Sequence, residues 1–156
     1  MKLNLGSGPR PKEGFVNCDH VRQAGTNVVL DLGRVLPFKT ESIEAIFSNS
    51  TLHYVPNDSK VLVMNEIWRV LLTGGQAEIR VPSALFPDAY APPSARSQWQ
   101  VVTFDYFIRG HWRCEEERPY SGFVGGFKYI LREVLRGPNC EGDMSEQVHV
   151  ILEKCA

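Results

Sequence analysis

The stretch Lys2-Leu3-Asn4-Leu5-Gly6-Ser7-Gly8 constrains the fold more than any other part of this chain. Apolar and polar residues alternate there and lead directly into Gly-x-Gly, which predicts a short buried strand ending in a tight turn. Glycine at such a turn permits positive φ and lets a ligand approach the main chain, because no Cβ is in the way. Ligands of open α/β sheets bind beyond the carboxyl ends of the strands, so this turn is the first candidate site.

A second predicted strand, Phe15 to Cys18, ends at Asp19, eleven positions beyond Gly8. A dinucleotide fingerprint places its acidic residue about 20 positions beyond the glycines, after a helix whose N-terminus holds the pyrophosphate. Here Pro9 and Pro11 disfavour that helix. The Asp19 carboxylate only accepts hydrogen bonds and suits the two hydroxyls of a ribose; a turn or cap role is the alternative.

Further strands are predicted at Asn27–Leu30, at Ile43–Phe47, at Gln76–Val81 and at Glu146–Glu153. The first of these runs into Asp31-Leu32 and the second into Ser48-Asn49-Ser50-Thr51. Small polar residues at a strand end can line a ligand site, or they can only cap the next element.

Two helices are predicted from apolar spacing. Over residues 57–72, Met64, Ile67, Trp68 and Leu71 recur at i, i+3, i+4 and i+7, with Gly74 or Gly75 as the stop. Phe127, Ile130, Leu131 and Val134 repeat at similar spacing, and Gly137-Pro138 would end that helix. Strands followed by a helix and a further strand predict an α/β fold with a mostly parallel sheet.

Residues 83–126 interrupt the regular pattern with prolines and then with an aromatic run between 99 and 112. Such a run usually packs a helix face on a sheet. The alternative is a lid or wall over a site, because long irregular insertions in compact domains are often functional.

Composition narrows the class of protein. The 156 residues suggest one domain, 1–156, and the net charge of -1 gives no long-range attraction for nucleic acid or an anionic membrane. No stretch is long and apolar enough to span a membrane, and no leader pattern opens the chain, so we expect a cytoplasmic protein. Cys18, Cys114, Cys140 and Cys155 are expected to be free thiols, and the spacing of His111 and Cys114 is too isolated to predict a metal site.

In combination these motifs resemble the class I S-adenosylmethionine-dependent methyltransferases, in particular a short bacterial branch of the family. The resemblance covers residues 2–82: Leu3–Gly8 is similar to the family's first motif, and Gly14–Asp19 to its second strand. Arg69–Gly75 followed by Ile79–Pro82 is similar to the family's "RVLKPGG…VP" sequence. It implies a Rossmann-like, mostly parallel open sheet with flanking helices and an antiparallel C-terminal strand, lacking N-terminal cap helices.

The resemblance also implies S-adenosylmethionine as the cofactor. Its methionine part would lie at the first motif, its ribose at the acid ending the second strand and its adenine beside the end of the third. The implied cofactor-binding residues are Asn4, Gly6, Ser7, Gly8, Asp19, His20, Asp31, Leu32, Ser48, Asn49 and Ser50. Where relatives often have H-x-L-E-H, this chain has Ser50-Thr51-Leu52-His53-Tyr54.

Three functions are compatible with the sequence. The first is a methyltransferase acting by in-line transfer on an unidentified small-molecule acceptor, with His53 as the first candidate base and Tyr54, Asp105 and His111 as weaker ones. A histidine that is merely hydrogen-bonded is the alternative for His53. The second is an S-adenosylmethionine-binding module without catalysis of its own, which would need a partner protein or a homodimer. The third is an NAD-type oxidoreductase, which the short spacing to Asp19 disfavours.

Overall fold

The computed structural model describes residues 1–138 and 144–156. Cys140 lies outside the described residues. Seven strands and three α-helices follow one another along this part of the chain. They are β1 (Lys2–Leu5), β2 (Val16–Asp19), β3 (Val28–Val29), β4 (Ile43–Asn49), α1 (Lys60–Val70), β5 (Leu71–Pro82), α2 (Val101–Asp105), α3 (Trp112–Ser121), β6 (Phe127–Pro138) and β7 (Met144–Lys154). Short 3₁₀ turns cover Leu52–Tyr54, Asn57–Ser59 and Pro87–Ala89.

All seven strands belong to one sheet with the order β3-β2-β1-β4-β5-β7-β6. The first five strands are parallel, and β7 runs antiparallel to both β5 and β6. The predicted open sheet with flanking helices and an antiparallel C-terminal strand is therefore confirmed. The strand order reverses between β1 and β4, and such a switch point is where open α/β sheets bind ligands.

The connections before β4 contain no α-helix, and all three α-helices of the described chain come after that strand. The link between β1 and β2 is held by backbone contacts instead, since the Gly6 and Ser7 amides both donate to the Cys18 carbonyl, at 2.8 and 3.0 Å. A parallel connection of this length has no room for a full helical crossover. The glycine turn consequently has no helix N-terminus to bind a pyrophosphate.

The two sides of the sheet differ in polarity. Leu3, Leu5, Ile46 and Ile79 are completely or almost completely buried and belong to the main hydrophobic core. Several positions on the other side carry charged or polar side chains that pair with one another, as in the ion pairs Arg80–Glu78 and His149–Glu133, both 2.8 Å. Paired polar side chains suit a side of the sheet that meets water.

The predicted helix beginning at Phe127 is wrong, because residues 127–138 form strand β6. Apolar residues at 127, 130, 131 and 134 fit a helix, but they also fit a strand with an irregularity. The pairing with β7 shifts register between Tyr129 and Leu131. Aromatic and β-branched residues favour the strand, and pairing with the buried strand β7 decides the outcome.

The predicted helix over 57–72 exists but is shorter, because α1 ends at Val70 and β5 starts at once with Leu71. Gly74 and Gly75 do not stop the helix; they lie within β5. The register of the β4–β5 pairing shifts here, because Ile43 pairs with Leu71 but Ala45 pairs with Gln76. A Cβ on Gly75 would lie 3.0 Å from the Glu44 carbonyl oxygen. Glycine is thus needed there for close strand packing.

The aromatic run packs mainly into the core, since Trp99, Phe104 and Phe107 are buried. The Trp99 indole also donates to the Leu52 carbonyl at 3.2 Å. This contact holds the segment before Trp99 against the turn after β4, so the segment forms a wall as well as part of the core.

Candidate functional site

An open cleft with a volume of about 1480 Å³ lies at the carboxyl ends of β1 to β4. Ligand sites usually have volumes of roughly 300–1,000 Å³, so this cleft has room for more than one small molecule. Eleven residues predicted from the sequence line it: Asn4, Gly6, Ser7, Gly8, Asp19, His20, Asp31, Leu32, Asn49, Ser50 and Tyr54.

The two glycines of the turn have different surroundings. Both have positive φ, +73° at Gly6 and +52° at Gly8. A Cβ on Gly6 would overlap the side chain of Thr51, at 2.1 Å from its hydroxyl oxygen, whereas a Cβ on Gly8 would meet nothing within 4 Å. Gly6 is therefore required by the protein's own packing, and Gly8 leaves its backbone open towards the cleft. The Ser7 hydroxyl beside them is buried without a hydrogen-bond partner in the described residues.

Asp19 connects the ends of β1 and β2. Its Oδ2 accepts from the Gly8 amide at 2.8 Å, its Oδ1 accepts from the Val21 amide at 3.0 Å, and His20 Nδ1 lies 3.2 Å from Oδ1. The residue is only 8% exposed, yet it lines the cleft. A carboxylate has about four acceptor sites, so these contacts leave capacity for a further donor.

The end of β3 contributes Asp31 and Leu32. Asp31 Oδ1 accepts from the Gly33 amide at 2.8 Å, and its Oδ2 lies 3.5 Å from Arg34 Nε. The Asp31 side chain is exposed, whereas Leu32 is 9% exposed. Asp31 thus fixes a local turn that holds Leu32 as an apolar wall of the cleft.

Of the three residues predicted at the end of β4, only two line the cleft. Ser48 is fully buried and pairs in register with Leu5 and Ile79, so it lies outside the cleft lining. Asn49 and Ser50 line the cleft. Ser50 has a φ of +51°, a left-handed conformation that non-glycine residues rarely adopt, and such strain is concentrated at functional sites.

His53 does not line the cleft either, because it is 2% exposed and turned into the protein. Burial lowers the pKa of its imidazole to about 4, so the ring is neutral near pH 7. Its Nδ1 has no hydrogen-bond partner among the described residues. The neighbouring Tyr54, whose ring centroid lies 4.0 Å from that of His53, does reach the cleft.

Two of the weaker base candidates, Asp105 and His111, belong to a separate cluster. Asp105 is buried and accepts from the Tyr129 hydroxyl at 2.8 Å and from Arg132 at 3.3 Å. Burial, with this hydrogen bond, raises the pKa of Tyr129. His111 caps α3 by accepting from the Arg113 amide. Neither Asp105 nor His111 lines the cleft. Asp105 ties α2 to β6, and His111 Nε2 lies 3.9 Å from Asp105 Oδ2.

The sequence predictions missed many of the residues that line the cleft, among them Phe47 and the wall at residues 93–96. Phe47 lies on the floor beneath Lys12, whose ammonium is 4.3 Å from the ring centroid. The wall is formed by Pro93, Ser94 and Arg96. The Arg96 amide donates to the His53 carbonyl at 2.8 Å, which docks the wall on the turn after β4. A proline-rich stretch distant in sequence gives no signal of such a contact.

The comparisons with known proteins agree with this geometry. The family model described as a methyltransferase domain matches residues 12–79. An S-adenosylmethionine-dependent methyltransferase from Methanosarcina mazei is 15% identical, with a TM-score of 0.62 over 99% of this chain and 92% of that chain. The Burkholderia thailandensis 1,6-didemethyltoxoflavin-N1-methyltransferase, whose structure contains 1,6-didemethyltoxoflavin and S-adenosylhomocysteine, is 13% identical, with a TM-score of 0.64 over 99% and 71% of the two chains.

A third solved structure is a complex of the Haloferax volcanii methyltransferase activator Trm112 with a proposed methyltransferase. It is 13% identical, with a TM-score of 0.60 over 99% of this chain and 82% of that chain. No curated protein matches the chain. At these identities the structures establish a shared fold. The resemblance to class I S-adenosylmethionine-dependent methyltransferases that the sequence predicts is confirmed.

Within the described residues, no helix is long and apolar enough to cross a membrane.

Proposed function

We propose that this chain, which has the class I methyltransferase fold, is an S-adenosylmethionine-dependent methyltransferase that acts on a small-molecule acceptor. The observation that supports the proposal most is the joint position of Gly8 and Asp19. An unobstructed glycine backbone and a half-satisfied carboxylate lie side by side in one open cleft, at the switch point of the sheet.

The residues present fit the cofactor. Gly8 offers main chain without a Cβ, and the unpartnered Ser7 hydroxyl beside it can donate to a carboxylate or accept from an ammonium group. The remaining acceptor capacity of Asp19 suits the two ribose hydroxyls. Leu32 provides an apolar wall for a planar base at the end of β3.

When bound, S-adenosylmethionine supplies an activated methyl group on a sulfonium. The protein's part is then to hold the acceptor in line with that group, which supplies up to roughly 7–11 kcal/mol for ideally aligned reactants. The cleft is large enough to hold both molecules, and its second wall at residues 93–96 is docked on the turn after β4. Of the predicted bases only Tyr54 lines it, so an acceptor that must lose a proton would find Tyr54 or water there.

Calorimetry with S-adenosylmethionine, S-adenosylhomocysteine and NAD tests the proposal. We expect the first two to bind and NAD not to bind, because no helix N-terminus stands at the glycine turn. Binding of NAD alone would refute the methyltransferase proposal. Production of S-adenosylhomocysteine across a panel of small metabolites would then establish turnover.

A binding module without catalysis of its own is the second candidate, and the position of His53 favours it. The residue that replaces the family's acid is buried away from the cleft, where it cannot take a proton from an acceptor. One structural neighbour is a complex with a methyltransferase activator, so a partner that completes the site is a reasonable form of this candidate. Binding of S-adenosylhomocysteine without turnover on any metabolite would support it.

A further inference from the structure

We infer that the acceptor of this methyltransferase carries an anionic group, a carboxylate or a phosphate, which Arg96 binds. The inference deepens the proposed function and rests on it. It comes from how charge is distributed between the two halves of the cleft.

The cleft divides at the switch point between β1 and β4. Among the described residues, the acidic residues that line the cleft are Asp19 and Asp31, and both lie in the half formed by the ends of β1 to β3, together with Arg10 and Lys12. Both acids already accept hydrogen bonds from the protein's own backbone. This half matches the proposed cofactor, a molecule that carries charges of both signs.

The other half has a single charged lining residue, Arg96, in the part of the chain that the structure describes. Its remaining lining residues are apolar, amide, hydroxyl or phenol side chains: Phe47, Asn49, Ser50, Thr51, Tyr54, Val55, Pro56, Ser59, Pro93 and Ser94. Here an acceptor's own charge would meet cations only: the Arg96 guanidinium and, at Phe47, the Lys12 ammonium that lies 4.3 Å from the ring centroid. An anionic group is the complement of such a surface, since a guanidinium donates to carboxylate or phosphate oxygens in a bidentate manner.

The side chain of Arg96 is exposed at the cleft, whereas its backbone is fixed. Within residues 1–138 and 144–156, the side chain has no ion pair or hydrogen bond. Its amide donates to the His53 carbonyl at 2.8 Å, and the next residue, Ser97, is buried and donates through its hydroxyl to the Leu52 carbonyl at 3.1 Å. The exposed charge thus lies on a wall that hydrogen bonds to the His53 and Leu52 carbonyls hold in place, without an internal partner among the described residues.

A short series of contacts relates Arg96 to the glycine turn, where the proposed methyl donor would bind. The side chain of Thr51 packs against Gly6 of the glycine turn. The 3₁₀ turn Leu52–Tyr54 begins at the next residue, and its His53 carbonyl accepts a hydrogen bond from the Arg96 amide. Arg96 and Gly8 therefore line one cleft and are linked through Thr51 and the 3₁₀ turn that follows it. The acceptor's reactive atom would lie between these two points.

Calorimetric titration of the protein, with and without saturating S-adenosylhomocysteine, tests the inference with two probes, inorganic phosphate and benzoate. We expect at least one probe to bind, more weakly at high salt, and Arg96→Gln to reduce its affinity about tenfold or more, since a charged hydrogen bond contributes about 1.5–3 kcal/mol. The control Arg22→Gln removes an arginine that does not line the cleft and should leave the affinity unchanged. A melting curve checks that both variants fold.

The contradicting outcomes are distinct. Failure of both probes to bind, or equal affinity in the wild type and Arg96→Gln, would overturn the inference. A loss on Arg10→Gln and not on Arg96→Gln would overturn it too, because the anion would then sit in the cofactor half. If S-adenosylhomocysteine itself does not bind, the proposed function fails, and the inference about the acceptor fails with it. The preferred probe distinguishes a phosphate from a carboxylate acceptor.

Discussion

The Asp19 carboxylate accepts a hydrogen bond from the Gly8 amide at 2.8 Å, which joins the end of β2 to the turn after β1. These residues are eleven positions apart, and no helix connects their strands. In the absence of a crossover helix, this hydrogen bond holds the turn after β1 against the end of β2. It also places a negative charge at the cleft surface, where a diol could reach it.

Replacing Asp19 with Asn removes that charge while keeping the size of the side chain. We expect the affinity for S-adenosylhomocysteine to fall about 10- to 100-fold, as hydrogen bonds to charged groups contribute about 1.5–3 kcal/mol. Asp58→Asn is the matched control, since Asp58 is exposed and does not line the cleft. Calorimetry on both variants checks this, and equal affinities in Asp19→Asn and the wild type would remove Asp19 from the site.

His53 should titrate far below the usual range, because burial lowers its pKa from 6.5 to about 4. In the unfolded chain the imidazole takes up a proton near 6.5 but in the folded protein only near 4. The contribution of His53 to folding stability is therefore complete above 6.5 and is lost as the pH falls from 6.5 towards 4. An NMR titration of the imidazole resonances measures the folded value directly, and a midpoint near 6.5 would contradict the buried placement.

Because His53 lies outside the cleft, His53→Gln should bind S-adenosylhomocysteine as the wild type does. Its unfolding free energy should depend less on pH between 6.5 and 4 than that of the wild type. Urea denaturation at several pH values gives the comparison. Loss of ligand binding in a variant that still melts cooperatively would show that the histidine reaches the ligand.

Arg69 holds the loop before β4 onto α1. Its guanidinium donates to the carbonyls of Leu36 and Phe38, at 3.1 and 2.9 Å, and to the buried carboxylate of Glu66 at 2.7 Å. Arg69→Met leaves that carboxylate buried without its cation, and we expect a loss of about 3–5 kcal/mol of unfolding free energy. Arg10→Met, at an exposed arginine, should change stability by less than about 0.5 kcal/mol. A loss of that small size in Arg69→Met would mean that the loop does not depend on this residue.

The same pair makes a pH-dependent contribution. The hydrogen bond from Arg69 is the largest cause that lowers the pKa of Glu66 below its ordinary 4.5, and the Leu36 amide adds to it. A depressed folded-state pKa stabilises the fold above 4.5, and this stabilisation is lost as the pH falls below that value. The stability difference between the wild type and Glu66→Gln, measured by urea denaturation, should thus shrink on acidification, and a constant difference would contradict the pairing.

Ser50 offers a test of backbone strain. Its φ of +51° costs a non-glycine residue roughly 1–2 kcal/mol, and glycine recovers this at an entropic cost of roughly 0.5–1 kcal/mol. We expect Ser50→Gly to be slightly more stable than the wild type. Ser94→Gly, in the same cleft but without positive φ, should be less stable. Thermal melts compare the two, and a lower melting temperature for Ser50→Gly than for Ser94→Gly would argue against strain at Ser50.

Sequence analysis predicted the parts of the fold that depend on local residue patterns. Alternation up to Gly6 and an acid at Asp19 were enough to place two strand ends, and parallel strands bring those ends to one edge. Apolar spacing alone failed at β6, where pairing with β7 overrode a pattern that also fits a helix. Whether Ser48 or Asn49 faces the cleft depends on register, since adjacent strand residues point to opposite faces.

Tertiary contacts account for the features that sequence analysis missed. Arg96 reaches the cleft only because Trp99 and Ser97 hydrogen-bond to the Leu52 carbonyl, 45 or more residues earlier in the chain. The requirement for Gly6 comes from Thr51, also 45 residues away, and not from a ligand. Neither contact leaves a local signal in the residues that make it.

The affinity for S-adenosylhomocysteine of Gly8→Ala, measured against Gly14→Ala, tests the central claim most directly. Both glycines have positive φ, and a Cβ on either would meet nothing within 4 Å, but only Gly8 lines the cleft. Each substitution should cost about 1 kcal/mol of stability. We predict that Gly8→Ala loses most of its ligand affinity while Gly14→Ala binds like the wild type. Equal affinities in the two variants, or no binding by the wild-type protein, would contradict the proposed site.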